Sequence, residues 1–360
     1  MIEVTGTHQH AAWQAGVIPD VEKVRPGLWS IPVPIPDSPL RYVLVYCLEL
    51  DDGVALIDAG WNCDEAWDAL GAGLAVAGGS IADVQAVLVT HVHPDHHGLA
   101  GRVRAASGAW VGLHPADAAL IGDHGSELEA LLSSRADLVV ESGAPDALAF
   151  RMPPVPVAIT GPGGFAEPDV LLTDGDRPDL PGWDLRTVWT PGHSPGHVCF
   201  YSEDRRLLLS GDHVLPRISP HVARHSSRHP DPLGDFLRSL TKVRALPVDE
   251  VLPAHEYRFA GLDRRVDQLV EHHAVRLAEI EAVLQERPAA TAWDVTGELT
   301  WSRPWAEIPA YMQLAANGET LAHLALLEVM GRVAREDGPP PRFELAEVAV
   351  RAPAAPWGEP

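Results

Sequence analysis

The chain has 360 residues, 46% hydrophobic and 21% charged, a globular composition with enough apolar material for one large core and a smaller appendage. Its formal net charge of −23 at pH 7 repels phosphate backbones, which disfavours nucleic acid as a partner. The sequence has no run near the roughly 18 apolar residues of a membrane helix, and MIEVTGTHQHAAWQAG lacks the basic and apolar regions of a secretory signal. A soluble cytoplasmic protein with no membrane partner is expected. The three cysteines, Cys47, Cys63 and Cys199, form no CxxC pair and read as small buried hydrophobes in a reducing compartment.

From Val24 to Gly60, short β-rich runs (GLWSIPV, YVLVYCLEL, GVALIDAG) alternate with Pro-rich and Asp-Asp-Gly breakers and predict an antiparallel meander. CDEAWDALGAGLAVAG has helical spacing, AVLVT is an apolar strand running up to His91, GLAGRVRAASG reads as a helix and AWVGLH as another strand. Such alternation indicates α/β layering. Residues 122–182, with a helical stretch and a Pro-rich run, read as an insertion able to cover a site; a plain connecting excursion fits nearly as well. The strand pattern resumes with LRTVWT, HVCFYS, RLLLSGD and EVLPAH, the last after a helix near PLGDFLRSLTKVRAL.

A helix is expected from Leu262 to Glu286, ended by Pro288, and a second amphipathic helix over ETLAHLALLEVMGRVAR, with Ala322, Leu326, Val329, Met330 and Val333 on one stripe. The chain is thus divided into a catalytic domain at 22–260, a small helical module at 261–337 and a flexible, Pro-rich tail at 338–360.

His91-Val92-His93-Pro94-Asp95-His96 places four candidate ligands directly after an apolar strand. Residues two apart in an extended segment point the same way, so His91 and His93 can grip one ion while Asp95 and His96 face a second. A polar loop that happens to be His-rich would not need so many donors in six residues. His193 in TPGHSPGH, Asp212 in LLLSGDH and His255 in VLPAHE each end a strand, and strand ends on one sheet edge converge. Asp212 is the expected bridging carboxylate, because one oxygen on each metal holds two ions about 3.5–4 Å apart. Imidazole and carboxylate donors suit zinc best, with iron or manganese also accommodated.

HVHPDHHG resembles the HxHxDH signature of the metallo-β-lactamase superfamily, and TPGHSPGH, SGDH and PAHE follow in that family's order. Asp58 in LIDAG resembles the family's first motif aspartate, which orients the metal-binding loop by hydrogen bonding. The resemblance spans about Val24 to Tyr257 and implies an αββα sandwich with two divalent metals at one edge, held by His91, His93, Asp95, His96, His193, Asp212 and His255. The best-known antibiotic-cleaving members carry cysteine where this chain has Asp212, so the full Asp and His set resembles instead the glyoxalase II, lactonase, thioesterase and nuclease branches. The C-terminal helices resemble the winged-helix tail of the LACTB2-like branch, some of whose members cleave RNA. Here, however, Ala290 to Asp337 carries seven acidic residues against three arginines, a balance that suits packing better than nucleic-acid reading.

The expected activity is hydrolysis of a small-molecule ester or thioester by a metal-bridging hydroxide, with Asp95 orienting it and shuttling its proton. An RNA phosphodiesterase and a non-enzymatic nucleic-acid-binding scaffold are the competing readings; a homodimer is compatible with all three. His197 reads as a residue supporting the ligands, and His97 and His213 as mere neighbours of them. His114, His124, His221, His225 and His229 read as solvated loop, Arg217 and His221 as weak candidates for pocket lining, and His272 and His273 as helix surface.

Overall fold

The computed structural model describes residues 2–121, 138–145, 163–224 and 229–346. The chain divides into two compact units. The first comprises Met1–His124, Val155–Pro220 and Lys242–Val266, and the second Gly125–Pro154, His221–Thr241 and Asp267–Pro360.

The first unit holds two sheets. One has seven strands in the order β2 (Glu22–Arg25), β3 (Leu28–Pro34), β4 (Tyr42–Glu49), β5 (Val54–Ile57), β6 (Val84–Leu88), β7 (Trp110–Leu113) and β8 (Val170–Leu171). It is antiparallel through β5 and parallel from β5 to β8. The other has six strands in the order β1 (Glu3–Val4), β13 (Phe259–Ala260), β12 (Glu250–Pro253), β11 (Leu207–Gly211), β10 (Val198–Ser202) and β9 (Leu185–Trp189).

The pleat of β4 explains how the layers assemble. Its residues point alternately to opposite faces, and all but the last are buried. Tyr42, Leu44, Tyr46 and Leu48 join Val198, Phe200, Leu207, Leu209 and Leu252 of the second sheet in one core cluster. Val43, Val45 and Cys47 join the other, with Ala66, Leu70 and Leu74 of helix α2 (Asp64–Val76) and Val103 of a later helix, Ala100–Ser107. Two apolar faces on one central strand require a layer on each side, and the sandwich follows.

Strand ends of both sheets carry the polar residues of interest. Asp58 follows β5, Thr90 and His91 follow β6, and Asp212 and His255 follow the parallel pair β11 and β12. Helix α3 (Pro94–His97) starts within the His-rich loop with proline at its first position, where no amide donor is needed. Its continuation α4 (Ala100–Ser107) and helix α5 (Pro115–Ile121) flank β7.

Two further long helices are α6 (Pro232–Arg244) and α7 (Leu262–Glu286). In the second unit, helix α8 (Ala292–Glu298) is capped reciprocally by Thr291 and Asp294. Helix α9 (Ala310–Val329) leads into a hairpin of β14 (Val333–Glu336) and β15 (Arg342–Leu345).

Several expectations change. The last amphipathic stretch begins earlier and ends earlier than its apolar stripe suggests: Gly331 at φ 68° terminates the helix, and Val333 lies in a strand. Arg342–Leu345 is not frayed but pairs with β14, since Phe343 is buried and bonded to Ala290 through both backbone groups. His273 is fully buried rather than on the surface, its Nδ1 lying 3.1 Å from Nε2 of equally buried His323. His114 is also buried, its ring stacked on Trp189. His229 is paired with Asp235 and His221 meets the carbonyl of Ala315. Of the expected insertion at 122–182, residues 122–137, with His124, and 146–162 lie outside the described residues, as do His225 and the tail beyond 346, while β8 within it pairs with β7 as a strand of the first sheet.

Gly73 on α2 marks the closest approach of that helix to the sheet: an added Cβ would lie 2.3 Å from Ile31 Cγ2 and 3.2 Å from its Cγ1. The helix propensity gained by Gly73→Ala, about 1 kcal/mol, is outweighed because β-branched Ile31 cannot rotate away. Gly73→Ala is expected to lower unfolding stability by about 1–3 kcal/mol in urea titration. Cys47 and Cys199 are buried thiols pushed up to about 12 by burial, the latter despite a hydrogen bond from Thr190. Iodoacetamide at pH 8 should therefore label half-buried Cys63 first and reach the other two only on denaturation, as peptide mapping would read directly.

Candidate metal centre

The structure brings the expected donors together at one edge of the first unit. His91 Nε2 lies 2.9 Å from His93 Nδ1 and 3.2 Å from His193 Nε2. On the other side, Asp95 Oδ2 lies 3.4 Å from His255 Nε2 and 3.6 Å from His96 Nε2. Asp212 stands between the groups, its Oδ2 3.5 Å from His193 Nε2 and 3.6 Å from His96 Nε2, its Oδ1 3.3 Å from His255 Nε2. The atoms form overlapping triads, His91/His93/His193, His91/His96/Asp212 and Asp95/His96/His255, each within 4.8 Å.

His91, His96, Asp212 and His255 are buried, His93, Asp95 and His193 half-buried, and three of the atoms are orphaned. His96 Nε2, Asp212 Oδ1 and His255 Nε2 have no hydrogen-bond partner among the described residues. Leaving such atoms dry and unpaired is costly, and divalent cations satisfy imidazole nitrogens and carboxylate oxygens at once. The donor set therefore fits a pair of metal ions.

Electrostatics divide the cluster. Burial, then His193, holds His93 down to about 3, and burial with neighbouring imidazoles keeps His91 well below the usual histidine range. Burial also opposes charge on His96 and His255, but carboxylates override it: Asp95, Asp212 and Asp58 push His96 up, and Asp212 and Asp95 push His255 up to about 10. Burial pushes Asp95 and Asp212 up, and the facing imidazoles more than reverse it, so both stay ionised.

A surrounding set of groups fixes the donors. Asp58, itself at φ 63°, accepts from Thr90 N at 2.7 Å and Thr90 Oγ1 at 3.0 Å, and contacts His96 Nδ1 at 2.8 Å. Since a carboxylate only accepts, His96 Nδ1 carries the proton and Nε2 presents its lone pair to the cluster. His255 Nδ1 is likewise engaged by the carbonyl of Tyr42 at 3.0 Å. His197 Nε2 accepts from Asp212 N at 3.1 Å while its Nδ1 meets Thr190 Oγ1 at 2.8 Å, the supporting role its spacing suggested. A Cβ on Gly211 would fall 2.7 Å from that His197 Nε2, and its φ is 51°. His97 is more than a neighbour of the ligands: it stacks on Phe165 and accepts from Ala166 N.

Sequence reasoning missed Asp117. Fully buried in α5, it accepts from Val92 N at 2.9 Å, Ser194 Oγ at 2.7 Å and Gly196 N at 2.6 Å, tying the loop of His91 and His93 to the loop of His193. The available signal was its place in HPAD just past an apolar strand.

A family profile described as Metallo-beta-lactamase superfamily matches residues 38–255, and the chain belongs to that superfamily. A crystal structure of a metallo-beta-lactamase family protein from Thermus thermophilus superposes with a TM-score of 0.76 at 34% identity, covering 90% of this chain and 100% of that one. The Probable metallo-hydrolase YqjP of Bacillus subtilis is 27% identical over 310 residues, 83% of this chain and 91% of that protein. The Atrochrysone carboxyl ACP thioesterase of Aspergillus fumigatus matches at 27% over 131 residues, 36% of this chain and 39% of that protein. This chain spans well under half the length of that relative and of several other curated ones. Family and site together define a metal-dependent hydrolase of the metallo-β-lactamase fold, whose members typically bind two divalent ions. No described helix is long and apolar enough to cross a membrane.

Asp117→Ala would strip three buried donors of their acceptor and loosen both histidine loops. Metal affinity, read by chelator competition, is expected to fall about 10–100-fold, whereas an unchanged affinity would reduce Asp117 to a packing residue.

Proposed function

We propose that the protein hydrolyses an ester or thioester of a small molecule, with His91, His93 and His193 holding one zinc ion, Asp95, His96 and His255 the other, and Asp212 shared by both. The observation that carries this reading is the position of Asp212, whose two oxygens lie 3.3–3.6 Å from imidazole nitrogens of both groups. Two zinc ions would supply an acidified water at neutral pH and polarise a substrate carbonyl.

The chain's own residues do the rest. Asp58, Thr90, Tyr42 and Asp117 present the donors in fixed orientation, so little reorganisation accompanies binding. Asp95, held ionised by His96 and His255 against its burial, can accept a proton from the attacking water at a carboxylate oxygen and keep it aligned. An acyl substrate is supported over a phosphodiester by the charge of −23, which disfavours polyanions, and by the relative named as a thioesterase.

The test is the initial rate on a simple acyl thioester, together with metal content, for zinc-loaded wild type, His93→Ala and Asp212→Ala. Both variants are expected to lose metal and to fall in rate about a hundredfold or more. Undiminished turnover by metal-free protein would refute the metal-dependent reaction. No turnover by the fully loaded wild type would move the substrate to lactones or phosphodiesters.

A further inference from the structure

One cation is tied to the candidate metal centre without being used by the chemistry above: Arg217 is ion-paired with Glu256, whose carboxylate in turn feels the charge of His255. Arg217 follows Asp212 by five positions, and its side chain is 54% exposed in a chain with a large negative net charge. Its Nε donates to Glu256 Oε1 at 3.2 Å, and Glu256 is the residue directly after His255. Its Cζ sits 4.4 Å over the ring of Trp13.

Both supports are themselves fixed. Glu256 is buried, stands at φ 69°, and its carbonyl accepts from Tyr42 Oη at 2.9 Å. Trp13 packs edge-on against Tyr257, and its carbonyl accepts from Arg41. The backbone around Arg217 is clamped as well, since buried Arg265 donates to the carbonyls of Leu215 at 2.6 Å and Ile218 at 2.8 Å. The ion pair with buried Glu256 and the face of Trp13 restrain the side chain at the expense of its rotamer freedom. Here a guanidinium plane is held by one edge and one face, while among the described residues Nη1 and Nη2 have no partner.

We infer that Arg217 is a preorganised anchor for a negatively charged group on the substrate, a carboxylate or phosphate borne away from the scissile carbonyl. The free nitrogens form the fork that binds such oxyanions in two parallel hydrogen bonds, and the clamp on Trp13 and Glu256 removes the entropy that a loose arginine would lose on binding. A mere tether for Glu256 would require neither open nitrogens nor an aromatic platform. The inference rests on the ester or thioester reading and narrows its substrate class to anionic compounds.

The experiment uses the zinc-loaded full chain and matched thioester pairs that differ only in a carboxylate against a primary carboxamide, placed on the acyl arm in one pair and on the thiol arm in the other. Wild type is expected to prefer the acid of one pair by about tenfold in kcat/KM, mainly through KM. Arg217→Gln should bring that ratio near one, and Arg217→Lys, which keeps the charge but loses the fork, should leave an intermediate ratio. Loss of a structural tether would depress both members of a pair together and leave the ratio unchanged. A wild-type ratio near one on both arms, or a preference that survives Arg217→Gln, overturns the anchor. Calorimetry with the corresponding non-hydrolysable thioethers separates the two claims: binding of the acid that depends on Arg217 without any thioester turnover sustains the anchor and refutes the proposed reaction, and equal binding of acid and amide overturns the anchor whatever the turnover.

Discussion

The His-rich half of the site hangs on one buried carboxylate. Asp58 ends β5 in a left-handed conformation and turns its oxygens onto the neighbouring strand end, where they take the amide and hydroxyl of Thr90 and the Nδ1 of His96. Thr90 Oγ1 in turn lies 3.0 Å from His91 Nδ1. Through these contacts a single side chain sets the path of the His-rich loop, the tautomer of one imidazole and the tilt of another. The parallel pairing of β5 with β6 makes this reach available, because only a parallel neighbour ends on the same edge.

Asp117 repeats the arrangement from the far side of the loop. Two acidic side chains, from different elements, each accept a backbone amide of the segment 90–92. The candidate donors between and beyond them have little freedom left, which suits a cluster whose donor atoms stand 2.9–3.6 Å apart. Rigid placement is what allows carboxylates to raise His96 and His255 while burial holds His91 and His93 low.

How far the fold could be read from sequence depended on whether the signal was local. The alternation in β4 and the strand-to-histidine transition at 88–91 are visible because period and motif lie in one short window. The candidate donors were legible for the same reason: each sits in a compact motif at a strand end. Asp117 was not, since its partners stand 25 and 77 positions away and nothing local distinguishes it from an exposed helix-start aspartate. His273 escaped likewise, because the partner of its buried Nδ1 is His323, fifty residues on. The amphipathic stripe through Val333 misled because apolar spacing runs on past Gly331 into a strand whose inward residue happens to stay in phase. The short pieces β1 and α1 (Thr7–Ala15) carry too few residues to show a period at all.

The sheet order has a consequence for the chain as it is made. Among the described residues strand β1 pairs only with β13, and β13 follows the last candidate donor, His255. A ribosome that has released the His-rich loop has therefore exposed four metal-seeking groups together with an N-terminal strand that has no mate, and neither can be completed until residue 260 has emerged. The mate of β1 and the last member of the donor cluster thus lie within one short stretch of chain, 255–260, so a single late segment completes both an edge of the sheet and the candidate site.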